Sequence, residues 1–317
     1  MKAVSLQRMG DLENDLVEAF PNVKFIFTQG VSDINDHDKK DLDILFGYDG
    51  KLDEDFLKSC SNLKWLAWYA TGVNKLPLNY IDSNNILLTN GRGVHAKQMS
   101  EFIMAFILDD YKKMKTSFIN QTNKKYDSKL TGKRVSGQTL LFLGTGSIAQ
   151  KTATIANAMD MIVQGVNTTG HDVEGVSKTY TIDNLFQALE EADIVVNTLP
   201  ETKETIHLLQ REHFEKMKSA ALFINVGRGT IVDENVIANV MKENIIRQSY
   251  LDVFENEPLT PDNQLYNINN ITITAHITGN GTENKQEVTQ IFKRNLSYFL
   301  NNLSLIHISE PTRQEAI

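Results

Sequence analysis

Short apolar runs separated by helix-length stretches fill residues 1–302, and this alternation leaves few folds open to the chain. KAVSL (2–6), VKFIF (23–27), LDILF (42–46), LKWLAW (63–68) and ILLTN (86–90) are too short for buried helices and too continuously apolar for exposed strands. Between the first two, Leu12, Leu16 and Phe20 share one helical face. Strands alternating with helices in this way build an open, largely parallel sheet. From about His95, Met99, Phe102, Ile103, Phe106 and Ile107 recur at helical spacing, and the polar, lysine-rich stretch 116–137 reads as a loop. Strands then return at TLLFL (139–143), MIVQGV (161–166), ADIVVNTL (192–199), ALFINV (221–226), SYLDVF (249–254) and ITITA (271–275). The fold expected is α/β, with two Rossmann-like domains on doubly wound parallel sheets. Ligands of such sheets sit at the C-terminal ends of the strands.

Those ends carry the chemistry. TLLFL runs directly into Gly144-Thr145-Gly146-Ser147-Ile148-Ala149, followed by a helix-compatible stretch to Met159. Strand, glycine turn and helix in this order form a dinucleotide-binding unit: Gly144 permits the tight turn, Gly146 lets backbone approach a pyrophosphate, and the helix start offers unpaired N–H groups to it. Further along, Arg228 follows ALFINVG, Glu257 lies inside LDVFENEPL, and His276 follows ITITA. A guanidinium can grip a 2-oxo acid through two N–H groups and polarise its carbonyl. An imidazole can give the proton that the carbonyl oxygen needs when a hydride reaches its carbon, and a carboxylate on the other ring nitrogen fixes the tautomer. Arg228, Glu257 and His276 are therefore the candidate catalytic residues. Glu255 competes with Glu257 on proximity alone, and the remaining histidines, His207 among them, have no comparable setting. No Cys/His or carboxylate spacing indicates a metal, so none is expected.

Six phrases in order carry a resemblance: LKWLAWYATGVNKLP (63–77), LFLGTGSIA (141–149), ADIVVNTLPET (192–202), MKSAALFINVGRG (217–229), LDVFENEPL (251–259) and ITAHITG (273–279). Over nearly all of residues 1–302 the chain resembles the D-isomer-specific 2-hydroxyacid dehydrogenases, which include glyoxylate/hydroxypyruvate reductases and phosphoglycerate dehydrogenases. The resemblance implies a substrate-binding domain of residues 1–98 completed by a returning helix at 283–302, an NAD(P)-binding domain of 99–282, and an active site in the cleft between them. It assigns substrate polarisation to Arg228 and places the catalytic carboxylate immediately before Pro258. It implies substrate-carboxylate binding by backbone of the loop Ala70-Thr71-Gly72-Val73-Asn74, with Thr71 and Gly72 central. It further implies cofactor contacts at Gly144, Gly146, Ser147, Ile148, Thr198, Pro200 and Val226, and at Asp252 for the nicotinamide carboxamide. A homodimer through the coenzyme domain is implied as well.

The expected function is hydride transfer between NAD(P)H and a short 2-oxo acid to give a D-2-hydroxy acid, of the glyoxylate/hydroxypyruvate reductase type. A dinucleotide-sensing regulatory protein, like family relatives that act as corepressors, is the alternative. A formate dehydrogenase would carry glutamine where Glu257 stands. Cofactor choice turns on the end of MIVQGV, where an NAD-specific site places an acid on the ribose 2′-hydroxyl. Asn167 and Thr168 stand there instead, with no Arg or Lys through Asp172. Either NAD or NADP is expected, with a slight lean to NADP.

Composition narrows the partners. Thirty-two Lys+Arg against 40 Asp+Glu give a net charge of −8, which repels phosphate backbones and anionic lipid. A small-molecule partner is expected, with neither nucleic acid nor membrane. A single cysteine, Cys60, forms no intramolecular disulfide, and no apolar run approaches the ~20 residues of a membrane span. A cytoplasmic location is expected. LSLIHISEPTR (303–313) resembles the translation of a sequencing-library adapter, so 303–317 is expected to be a non-native tail outside the fold.

Overall fold

The computed structural model of the chain describes residues 1–73 and 75–308. Two compact units divide it: Met1–His95 with the segment from Gly281 onward, and Ala96–Asn280. The sequence reading drew these lines at 98/99 and 282/283.

The first unit alternates β1 (Lys2–Ser5), α1 (Leu12–Ala19), β2 (Lys24–Phe27), α2 (Asp36–Asp41), β3 (Ile44–Gly47), α3 (Glu54–Ser59), β4 (Trp65–Trp68), α4 (Leu78–Ser83) and β5 (Leu87–Thr89). Its sheet runs β2-β1-β3-β4-β5, and every pairing is parallel. The second unit contains α5 (Ala96–Lys112), α6 (Met114–Thr122), β6 (Thr139–Leu143), α7 (Ser147–Ala158), β7 (Ile162–Val166), β8 (Lys178–Tyr180), α8 (Leu185–Glu191), β9 (Ile194–Asn197), α9 (Arg211–Lys216), β10 (Leu222–Asn225), α10 (Glu234–Lys242), β11 (Gln248–Leu251) and β12 (Ile271–Ile273). The chain then returns to the first unit as α11 (Asn284–Leu300). The second sheet runs β12-β11-β10-β9-β6-β7-β8. Strand order reverses between β6 and β9, the switch point where doubly wound sheets open a crevice for ligand.

Register sets the site. Leu143 pairs with Asn197, Asn197 with Asn225, Asn225 with Leu251 and Leu251 with Ile273, so five strands end in one row. The next residue on each is Gly144, Thr198, Val226, Asp252 and Thr274. The central strands are apolar on both sides because helices cover both: α5 and α7 pack with Leu140, Phe142 and Ile194 on one face, while α8, α9 and α10 pack with Leu141, Val195 and Phe223 on the other.

Two expectations need correction. The stretch 116–137 is not all loop: α6 covers its start, where KTSFINQT contains neither Gly nor Pro to break a helix. Residues 303–308 do take part in the first unit. Leu305 is buried among Val288, Phe292 and Leu296. Asn295 grips the backbone of Ile306 in both directions, at 2.8 and 3.0 Å. Ile308 bridges Thr89 on β5, whose outer edge otherwise has no strand beside it among the described residues. Residues 309–317 lie outside the described residues, as does Asn74.

Candidate active site

The glycine turn comes first because it sits at the switch point. Gly144 has φ +89°, a conformation that suits glycine, and a Cβ there would meet Leu199 at 3.1 Å and Thr198 Oγ1 at 3.3 Å. Thr198 donates its hydroxyl to the carbonyls of Leu143 and Gly144 at 3.1 and 2.9 Å, so it braces the turn from β9. A Cβ on Gly146 would meet nothing within 4 Å, which leaves room for a ligand against its backbone. α7 begins directly after Gly146 without a side-chain cap, so its first N–H groups are open to an anion. Ser147 is exposed and Ile148 half-buried at this helix start. Ala149, in the third glycine's place, is fully buried. These residues fit the pyrophosphate of a dinucleotide. Val226 is buried beneath the same row, and the carbonyl of Pro200 accepts from Thr205 Oγ1 at 2.8 Å.

Asn167 spends its side chain on its own turn. Its amide was expected to face the ribose, yet it donates to Thr145 Oγ1 and His171 O while its oxygen accepts from the N–H groups of Thr169 and Gly170. A side chain spent on its own turn has little left for a ligand. Thr168 stands exposed beside it, and Thr169 Oγ1 lies 2.9 Å from His171 Nδ1.

Arg228 is half-buried, three residues beyond the end of β10. Its Nη1 donates to the carbonyl of Gly227 at 2.8 Å, and its own carbonyl accepts from Asn225 Nδ2 at 3.1 Å. Asn225 also accepts from Asn197 Nδ2 at 2.8 Å, so a buried amide pair ties two strand ends to the arginine's turn. Gly229 makes the turn possible: a Cβ there would fall 1.9 Å from the carbonyl carbon of Phe254. Among the described residues no carboxylate pairs with Arg228, so its forked face is available to an acid from solution.

His276 and Glu257 come together. His276 Nδ1 lies 2.7 Å from Glu257 Oε2, and the second carboxylate oxygen accepts from Phe254 N at 3.0 Å. Glu257 is thus oriented by its own loop, and it holds the imidazole so that Nε2 is the free nitrogen. The histidine side chain keeps 52% of its exposure, which leaves that nitrogen reachable. His276 sits at φ +53°, an uncommon conformation for a non-glycine residue. Asp252 maintains it. This fully buried carboxylate, expected to hold the nicotinamide carboxamide, accepts from Thr274 Oγ1 (2.5 Å), Ile277 N (2.9 Å), Thr278 N (3.1 Å) and Thr278 Oγ1 (2.6 Å). Its backbone carbonyl takes the N–H of His276 at 2.8 Å. Asp252 therefore fixes both flanks of the histidine, a role the sequence reading missed; the polar residues spaced around His276 were its only sign.

In the first unit, the Thr71 carbonyl accepts from Asn90 Nδ2 at 2.9 Å and the Gly72 carbonyl from Trp68 Nε1 at 3.0 Å. The N–H groups of both residues have no partner among the described residues. Glu255 turns away from His276 to His207, 2.7 Å from its Nε2. His207, Asp233 and Glu255 form a cluster that spacing along the chain had hidden.

Comparisons with known proteins agree on one family. Residues 104–278 match the description "D-isomer specific 2-hydroxyacid dehydrogenase, NAD binding domain". The chain is 31% identical over 252 residues to a glyoxylate reductase of Thermofilum pendens, covering 78% of this chain and 74% of that protein. It is 29% identical to glyoxylate/hydroxypyruvate reductase B of Yersinia pestis, over 74% of this chain and 73% of the relative. A crystal structure of a D-isomer specific 2-hydroxyacid dehydrogenase family protein from Aeromonas salmonicida superposes with a TM-score of 0.87 at 28% identity, covering 98% of this chain and 99% of the other.

Proposed function

The chain belongs to the D-isomer specific 2-hydroxyacid dehydrogenases, NAD(P)-binding oxidoreductases, and from that premise we propose that it reduces short 2-oxo acids such as glyoxylate or hydroxypyruvate to D-2-hydroxy acids. The observation that carries this reading is a half-buried arginine, without a counter-ion among the described residues, on the same sheet end as a carboxylate-held histidine. A cation kept free in a half-buried turn awaits an anion, and a fixed imidazole with one free nitrogen serves proton transfer.

When bound, the nicotinamide supplies the hydride. Arg228 holds the 2-oxo acid and draws electron density from its carbonyl. His276 donates a proton from Nε2 to the carbonyl oxygen as its carbon gains the hydride, so the C=O becomes CH–OH. Glu257 holds Nδ1 and steadies the ring through the transfer. Asp252 acts on the histidine through its loop and is a positioning residue. Thr71 and Gly72 supply N–H groups that no described residue claims, suited to a carboxylate. Ser147 and Ile148, at the uncapped start of α7, border the pyrophosphate, while Thr198, Pro200 and Val226 support it from neighbouring strand ends. Thr168, Thr169 and His171 tolerate a 2′-phosphate and offer no repelling acid, so both cofactors are used with a small preference for NADP(H).

The assembly is a homodimer in this reading. α6 buries none of its residues, and Met114, Phe118, Ile119 and Tyr126 are all exposed within a short stretch, a surface that a second copy would cover. Among the described residues no helix is long and apolar enough to cross a membrane.

Steady-state assays with a panel of 2-oxo acids and both reduced cofactors test the reading. Oxidation of NADPH or NADH that depends on glyoxylate or hydroxypyruvate is expected. Cofactor binding without turnover of any 2-oxo acid would instead favour a dinucleotide-sensing protein.

A further inference from the structure

Three side chains that hydride transfer leaves unused meet behind the loop that carries Glu257. His207, Asp233 and Glu255 each offer one ligand atom, and these atoms lie within 4.8 Å of one another. They arrive from separate places: the turn after Thr205, the N-cap of α10 and the loop after β11. Asp233 accepts with Oδ1 from the N–H groups of Asn235 and Val236 at 2.7 and 3.3 Å. That cap fixes the carboxylate and leaves Oδ2 without a partner among the described residues. Glu255 has its ion pair with His207, and among the described residues no lysine or arginine pairs with either acid. Two carboxylates this close repel each other, and one imidazole offsets at most one of them.

An independent observation points the same way. Oε1 of the adjoining Glu234 is buried with no hydrogen-bond partner among the described residues, although Oε2 takes Asn263 Nδ2 at 2.9 Å. Glu234 and Glu255 line a cavity of about 10 Å³, about the size of one water, that His207 and Asp233 do not line. A buried carboxylate oxygen without a donor, on the residue next to Asp233, marks a place short of positive charge.

We propose that His207, Asp233 and Glu255 bind a divalent transition metal of the zinc class, with Glu234 as an outer carboxylate. One imidazole nitrogen and two carboxylate oxygens suit zinc or cobalt, whereas calcium takes six or more oxygens and magnesium keeps an octahedral oxygen shell. Half-exposed ligands leave the remaining positions to water. Binding requires neutral His207 and replaces its direct contact with Glu255. The ion takes no part in hydride transfer, so this site stands or falls apart from the proposed reaction.

Titration of the full chain with Co²⁺, read by visible absorption, and with Zn²⁺, read by calorimetry, tests the site. The variants are His207→Gln, Asp233→Asn and His276→Gln; asparagine caps a helix as well as aspartate does, so Asp233→Asn preserves α10. Saturable binding of about one ion per chain is expected for the parent and for His276→Gln, with affinity about tenfold or more weaker in the other two. Zinc should also raise the parent's Tm by mass action. Absence of saturable binding by the parent, or loss of binding in His276→Gln alone, overturns the proposal.

Discussion

The two units share a parallel, helix-covered architecture; both bury polar residues at strand ends, Ser5 and Thr89 in the first, and they differ in the amides and carboxylate that the second buries there. In the second unit Asn197, Asn225 and Asp252 are at most 1% exposed, and each makes hydrogen bonds that shape the turn beyond its strand. In the first unit the interior is aromatic: Phe292 stacks on Phe46 at 4.4 Å and on Trp65 at 5.3 Å, and Phe25 and Phe27 flank Phe46 edge-on. Stacked rings add stability through area and contact geometry and impose little on the backbone that follows. Buried amides and carboxylates add less net stability, yet each must be satisfied, and that requirement dictates where the next residues go. The comparison teaches that one sheet is built to stand and the other to aim Arg228 and His276.

The largest effect on stability should come from the aromatic interior. Phe292→Ala removes a side chain 2% exposed and is expected to cost about 3–5 kcal/mol in denaturant unfolding. The surviving folded fraction should still bind NADPH, because the glycine turn lies in the other unit. A loss of cofactor binding per folded molecule would break the division of labour.

Ending the chain at Asn302 removes Leu305 from the same interior and strips Asn295 of both its backbone partners. Burial of a leucine contributes about 1.5–3 kcal/mol, so a clearly lowered Tm is expected. An unchanged Tm would mean that residues 303–308 add nothing to the fold, as expected of a non-native tail.

Asp252→Asn sharpens the comparison from the polar side. The amide accepts with one end only, so either Thr274 Oγ1 and Ile277 N, or the N–H and hydroxyl of Thr278, lose their acceptor. A stability loss of about 1–3 kcal/mol follows, and turnover should fall further than stability explains because His276 loses its flanks. A variant that loses stability while retaining the parent's kcat would confine Asp252 to a structural task.

The smallest effect is expected at Asn167. Asp in its place cannot donate to His171 O or Thr145 Oγ1, and it brings a charge toward any 2′-phosphate. Preference should shift toward NADH by about tenfold, roughly 1.4 kcal/mol, read as the ratio of kcat/KM values. Equal losses with both cofactors would show that Asn167 only builds the turn.

Strand positions were legible because a buried parallel strand must be apolar throughout, and a polar residue just past such a run stands out. Gly144, Arg228 and His276 were visible in this way. β8 was not, since Lys178-Thr179-Tyr180 is a short edge strand with no apolar run. Where each polar group spends its hydrogen bonds was equally hidden. Asn167 and Asp252 sit where a ligand contact is expected, and only coordinates reveal donors and acceptors of the same chain already on them. The pairing of His207 with Glu255 joins residues 48 apart in sequence, beyond the reach of any local pattern.

The central claim is that the Glu257-held His276 delivers the proton in reduction of a 2-oxo acid. Turnover of glyoxylate by His276→Gln, measured beside cofactor affinity from the quenching of protein fluorescence, tests it most directly. The prediction is a kcat lower by about two to four orders of magnitude with the affinity for NADPH nearly unchanged. A kcat within a few-fold of the parent's would contradict it.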